Sequence, residues 1–111
     1  MRQMHFGINV STNQGSKTDV AKVLRSALRR SKMKNGIAHL WVMAENAGFI
    51  KTGSPLAVAS NIKEASRSEL QQYRALPFFS EKLVTGKIPL VLFELEPGKH
   101  RRVIRIVLIG E

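Results

Sequence analysis

Residues 16–36, SKTDVAKVLRSALRRSKMKNG, read as one amphipathic helix, and the rest of the chain is organised around it. Val20, Val23, Leu24, Ala27 and Leu28 recur at i, i+3, i+4, i+7 and i+8, the spacing that turns one helix face toward a core. Ser16 and Asp19 make an S-x-x-D capping box, and Asn35-Gly36 suit a left-handed C-cap. The opposite face is cationic. At 3.6 residues per turn Lys22, Arg25, Arg29 and Lys32 fall in one stripe, with Arg30 and Lys34 beside it. A solvated helix face usually carries Glu four residues before Lys or Arg. Here Arg25/Arg29 and Arg30/Lys34 are like-charged pairs, each costing about 0.2–0.5 kcal/mol, and only Asp19 opposes them. An unneutralised stripe of this kind points to an external polyanion.

Upstream, Met4, Phe6, Ile8 and Val10 alternate with His5, Gly7 and Asn9, the period of a strand with one buried face. Downstream, 37–44, IAHLWVMA, is nearly continuously apolar and reads as a strand covered on both sides. Strand, helix and strand in succession predict a right-handed crossover with the two strands parallel. Glu45-Asn46-Ala47-Gly48 reads as a turn, with 49–51 pairing back as a short strand. Gly53-Ser54-Pro55 breaks the chain, and 56–60 fits either a strand or a helical turn. A second, surface helix is predicted over 62–75, capped by Asn61 or Ser66 and ended by Pro77-Phe78-Phe79, with a further turn over 80–84. The closing segment, IPLVLFELE, Pro97-Gly98, then KHRRVIRIVLI, predicts an antiparallel hairpin whose two-residue loop sets Glu94 opposite Arg101 and Phe93 opposite Arg102. The expected architecture is α+β: a single domain over 1–111, a mixed four- or five-stranded sheet with a β-α-β start, one main amphipathic helix, a second surface helix and a C-terminal β-hairpin.

A chain of 111 residues without cysteine forms no disulfide and has no thiolate nucleophile or metal ligand. No apolar run has the length of a signal peptide or membrane span, so a soluble, cytoplasmic protein is expected. The net charge of +10 attracts nucleic acid, anionic membrane or acidic protein.

Lys99, His100, Arg101 and Arg102, with Arg105 beyond, form a second basic cluster. It suits a ribbon that enters a groove or follows a phosphate backbone, and equally an edge charged against aggregation. Gly15-Ser16-Lys17-Thr18 resembles the end of a phosphate-binding loop, but Val10 stands where its first glycine belongs, which argues against nucleotide hydrolysis. The helix N-terminus retains the capacity to hold a single phosphate. In SRSEL, residues 66–70, a helix cap explains the letters better than a DNA-binding helix start. His5, His39 and His100 lack metal-ligand spacing, so no metal or cofactor is expected. Phe78, Phe79, Trp41 and Phe49 could stack on bases, but Trp41 lies in a strand too apolar to be exposed and the phenylalanines suit a core. A solvent-facing Phe78 or Phe79 would strengthen the case for stacking or for binding a protein partner.

The sequence therefore favours a non-catalytic nucleic-acid-binding protein. Lys22, Arg25, Arg29, Arg30 and Lys32 contact phosphates, and Lys99, Arg101 and Arg102 add a second zone. Two other readings stand beside it: a metal-independent, toxin-like ribonuclease using His100 with Arg101, and an interaction or inhibitor module meeting an acidic protein partner.

Overall fold

A computed structural model of the protein describes residues 1–51, 67–80, 82–83 and 90–111. In chain order the elements are β1 (Arg2–Asn13), β2 (Lys17–Asp19), α1 (Ala21–Ser31), β3 (Gly36–Val42), β4 (Ala47–Ile50), a 3-10 turn (Arg67–Glu69), β5 (Leu70–Gln71), β6 (Tyr73–Phe79), β7 (Lys82–Leu83), β8 (Val91–Glu94) and β9 (Lys99–Gly110). They build two sheets, a larger one in the order β1-β9-β3-β6-β7 and a smaller one in the order β2-β8-β4-β5. Every pairing among the described residues is antiparallel.

The inner face of the larger sheet follows from strand alternation. Ile8, Ile104 and Val42 share one row, and Met4, Leu108, Ala38 and Leu76 share another. α1 lies on this face through Leu24, Ala27 and Leu28, while Phe49, Leu90 and Leu92 join the same core from the neighbourhood of the smaller sheet. Leu24 is fully buried, a contribution of about 1.5–3 kcal/mol by itself. The predicted apolar stripe of the helix thus meets the core, with Val23 half-buried at its margin. No helix among the described residues is long and apolar enough to cross a membrane.

The expected α+β architecture is overturned, since the described structure is mostly β with one α-helix. β1 and β3 run in the same direction but are not neighbours, because β9 lies between them and pairs antiparallel with both. Ile104, Ile106 and Leu108 match the inward residues of each flank, so one long strand from the far end of the chain completes both ladders. There is no mixed sheet and no parallel β-α-β pair among the described residues.

The C-terminal hairpin is corrected as well. Gly98 has φ +90°, as the predicted turn requires, yet β8 and β9 belong to different sheets. The chain crosses between sheets there, and β8 pairs instead with β2 and β4. Phe93 lies opposite Lys17 and Gly48, and Glu94 opposite Ala47.

Of the predicted second helix, 62–66 lies outside the described residues, as does 56–60. The remainder is the 3-10 turn, β5 and β6. Arg74, Leu76 and Phe78 turn inward and Tyr73, Ala75 and Phe79 outward, so a period of two overrides the thin helical stripe. At 82–83 the chain forms β7 on the edge of β6 rather than a helical turn. The stretch after Glu45 does form a strand, β4, but in the smaller sheet and not back on β3.

α1 is shorter than its sequence pattern. Lys17–Asp19 is β2, held by β8, and Ser16 Oγ accepts the Asn13 N–H at 3.2 Å instead of capping the helix. Ser31 Oγ donates to the Leu28 carbonyl at 2.7 Å and accepts the Met33 N–H at 3.0 Å, and Lys32 at φ 61° ends the helix. Gly36 opens β3 rather than capping the helix. It faces Gly110 of β9 so closely that a Cβ on either would strike the other's backbone.

Candidate functional site

Three surfaces collect the polar and aromatic chemistry. The first is the solvent side of α1, where Lys22, Arg25, Arg29, Arg30 and Lys32 are all exposed. Arg29 Nη2 donates to Ser26 Oγ at 3.2 Å, and the Arg30 guanidinium lies 5.5 Å from the Phe6 ring centroid, which positions these cations without neutralising them. No Asp or Glu occurs between Asp19 and Glu45. None of the ion pairs among the described residues involves an α1 cation. At the helix start the Ala21 N–H is taken by Asp19 Oδ1 at 2.9 Å, so a carboxylate occupies the place considered for a phosphate. Lys17 and Thr18 belong to β2, so α1 begins only at Ala21 and does not open directly from the loop as a phosphate loop needs.

The second is the start of β9. Lys99 and Arg101 are exposed there. Arg102 is not a free cation: its Nε and Nη2 donate to the two oxygens of Glu94 at 2.7 and 2.9 Å, and Nη2 reaches Glu96 at 2.8 Å. Thr12 donates its hydroxyl to Glu94 Oε1 at 2.6 Å. Burial pushes the Glu94 carboxyl up, but the bonds from Arg102, Thr12 and the Glu96 N–H more than offset this and bring it down to about 2. Glu94 in turn holds the Arg102 pKa above its ordinary value, and Arg102 holds that of Glu96 below. His100 Nε2 donates to the Pro97 carbonyl at 2.7 Å. His100 and Arg101 line one recess with Ser11, Thr12, Asn13 and Lys99, although strand alternation turns neighbouring side chains to opposite faces.

The cations at the C-terminal end of α1 do not converge with the second cluster. Arg2 donates to the carbonyl of Ser31 at 3.1 Å, and Arg2 pairs with Gly110, so the C-terminal end of α1 lies at the end of β9. Lys99 is at the start of that strand, roughly 36 Å away at 3.3 Å per residue.

The third surface is the outer face of the larger sheet, which α1 does not cover. Gly7, Arg105, Trp41 and Tyr73 form one row across β1, β9, β3 and β6, and His5, Val107, His39 and Ala75 form the next. The rings of His39 and Trp41, and of His39 and Tyr73, are 5.9 Å apart and within 21° of parallel; Trp41 and Tyr73 are 5.2 Å apart and tilted. His39 Nδ1 and the Tyr73 hydroxyl share a 2.6 Å hydrogen bond. These rings, with Arg105 and His5, line a depression of about 630 Å³ that has no carboxylate among its described lining residues. Among the described residues no three His, Asp or Glu side chains gather as metal ligands.

Sequence reasoning missed this surface because the run 37–44 hides its alternation. Ala38, Leu40 and Val42 are buried, whereas Ile37, His39 and Trp41 face outward and Trp41 keeps 36% exposure. His39 at the centre of an apolar run was the available sign of an open face. Phe78 is buried as expected, but Phe79 is 60% exposed.

No family model matches the chain. No curated protein sequence matches it either. Solved structures do. A YbjQ-like protein of unknown function from Sulfolobus solfataricus P2 superposes with TM-score 0.70 at 17% identity, over 99% of this chain and 100% of that one. A hypothetical protein from Aeropyrum pernix K1 gives 0.68 at 16% identity over the whole of both chains. An uncharacterized conserved protein of the yjbq/upf0047 family from Clostridium acetobutylicum gives 0.65 at 14% over 96% of this chain and 99% of that one. At such identities the likeness establishes a shared fold and nothing about shared chemistry.

Proposed function

We propose that the protein binds nucleic acid without chemistry, with α1 as its phosphate-contacting surface. The observation that carries this reading is the exposed set Lys22, Arg25, Arg29 and Arg30 on α1, with Lys32 at its C-cap, none of which forms an ion pair among the described residues. Such a stripe repels itself unless an external polyanion takes up the charge. Lys99 and Arg101 serve as a separate contact zone at the other end of β9. Arg102 holds the two sheets together through Glu94 and is not assigned a phosphate.

Salt-dependent binding to duplex and single-stranded DNA and RNA tests the proposal. Four or five phosphate contacts give a log–log slope of about −4 on duplex DNA, so a fourfold rise in salt weakens binding roughly 10²- to 10³-fold. The Arg25→Glu/Arg29→Glu double variant should flatten that slope by about two or more, roughly 0.9 for each arginine replaced plus repulsion from the reversed charges. The double variant exchanges one like-charged i,i+4 pair for another, a similar local cost on the helix, and a thermal melt confirms that it is folded. An unchanged slope in the double variant rules out α1 as the phosphate surface.

A further inference from the structure

We infer that the outer face of the larger sheet is a second site, which stacks unpaired bases of a single-stranded nucleic acid. This site does not depend on the role of α1, which lies on the opposite face of the same sheet. Its first support is the register: Gly7, Arg105, Trp41 and Tyr73 are set side by side on four adjacent strands, so they share one face whatever their rotamers. The second is ring geometry. His39 lies nearly parallel to both Trp41 and Tyr73, and its 2.6 Å bond to the Tyr73 hydroxyl fixes the group, leaving Trp41 36% and Tyr73 41% exposed for a base to extend the stack. The third is charge. Arg101 and Arg105 fall on the same outward side of β9, and no outward position of β1, β9, β3 or β6 holds a carboxylate.

That charge also selects the occupant. A second copy of the chain docked through the same face would bring two sets of Arg101 and Arg105 into one interface, with no carboxylate on the outward positions of either sheet to pair with them. A polyanion with planar rings satisfies both the arginines and the aromatics. In a duplex the base faces are already stacked on each other, so only an unpaired strand can use this surface. Room for it exists beside Arg105, since a Cβ placed on Gly7 meets no atom within 4 Å.

Trp41 is the only tryptophan, so its fluorescence reports the site directly. Titration with a short oligo(dT) should give saturable quenching that a duplex of equal length does not. Tyr73→Leu should weaken this binding about tenfold or more by removing one stacking ring. Gly7→Leu should weaken it comparably by filling the open space, and thermal melts confirm that either variant is folded. In the Arg25→Glu/Arg29→Glu variant the salt slope reports α1 and the Trp41 quench at saturating oligonucleotide reports the sheet, so the two readings can fail separately. The inference is overturned by an absence of quenching, by equal quenching with duplex, by folded Gly7→Leu and Tyr73→Leu variants that bind like the parent, or by Trp41 emission that changes with protein concentration alone, the mark of a second copy on this face.

Discussion

Arg102, on β9 of the larger sheet, grips the carboxylate of Glu94, the last residue of β8 in the smaller sheet, through two hydrogen bonds of 2.7 and 2.9 Å. Glu94 has no exposed surface and the Arg102 side chain is 15% exposed, so the pair is a clasp between sheets at the point where the chain passes from one to the other. Thr12 of β1 completes it. Desolvating both charges is costly, and two-point geometry with every carboxylate oxygen bonded is what offsets that cost.

Breaking the clasp from one side leaves a buried charge without its partner. Glu94→Gln and Arg102→Gln should each lower the unfolding free energy by about 3 kcal/mol. Replacing both, as Glu94→Gln/Arg102→Gln, should cost less than the sum of the single changes. Urea denaturation of the four proteins measures the coupling, and simple additivity would show that the two residues do not act as a pair.

The same carboxylate makes the protein acid-sensitive in a defined window. Glu94 titrates at about 2 in the folded chain and near 4.5 when unfolded. A depressed carboxyl contributes stability above the unfolded value and loses it as pH falls toward the folded one, so stability should fall between about pH 4.5 and 2, by up to about 3 kcal/mol from this group. Unfolding free energies across that range should fall less steeply in Glu94→Gln.

Arg74 points inward from β6, and its Nη1 is buried with no hydrogen-bond partner among the described residues; burial holds its pKa below the ordinary arginine value. An unmet buried donor costs about 1–3 kcal/mol. Arg74→Met keeps most of the side-chain volume and removes the donor, so the thermal midpoint should rise by several degrees. A fall would show that Arg74 has a role beyond packing.

Gly36 and Gly110 let β3 and β9 approach closely beside Phe78. Alanine at either position should cost about 1–3 kcal/mol by forcing the strands apart, whereas Gly7→Ala on the open face should cost well under that. Thermal melts of the three variants provide the comparison. Equal effects would mean that the close contact is relieved easily.

The helix face and the charge were legible in the sequence because both are local. A period of 3.6 in Val20, Leu24, Ala27 and Leu28 is decided within one element, and exposure of Lys22, Arg25 and Arg29 follows from the same geometry. Strand alternation in Met4, Phe6 and Ile8 is local for the same reason. Pairing is not. Whether β8 folds back on β9 or crosses to β2 and β4 depends on which edges are open after the whole chain collapses, and Pro97-Gly98 specifies a bend without choosing a partner. Segment 70–79 shows the same limit, since its weak helical stripe yielded to a vacant place beside β3.

The sequence alone thus determined an amphipathic, unneutralised helix and a strongly basic surface, both set by spacing along the chain. Only the tertiary structure decided that Arg102 serves the clasp, that the C-terminal end of α1 and the Lys99–Arg101 cluster lie at opposite ends of β9, and that Trp41 stands on an open sheet face beside Tyr73 and Arg105. Each of these depends on register between strands distant in sequence, and a buried charge, an open face and a shared surface are properties of neighbours that no single segment contains.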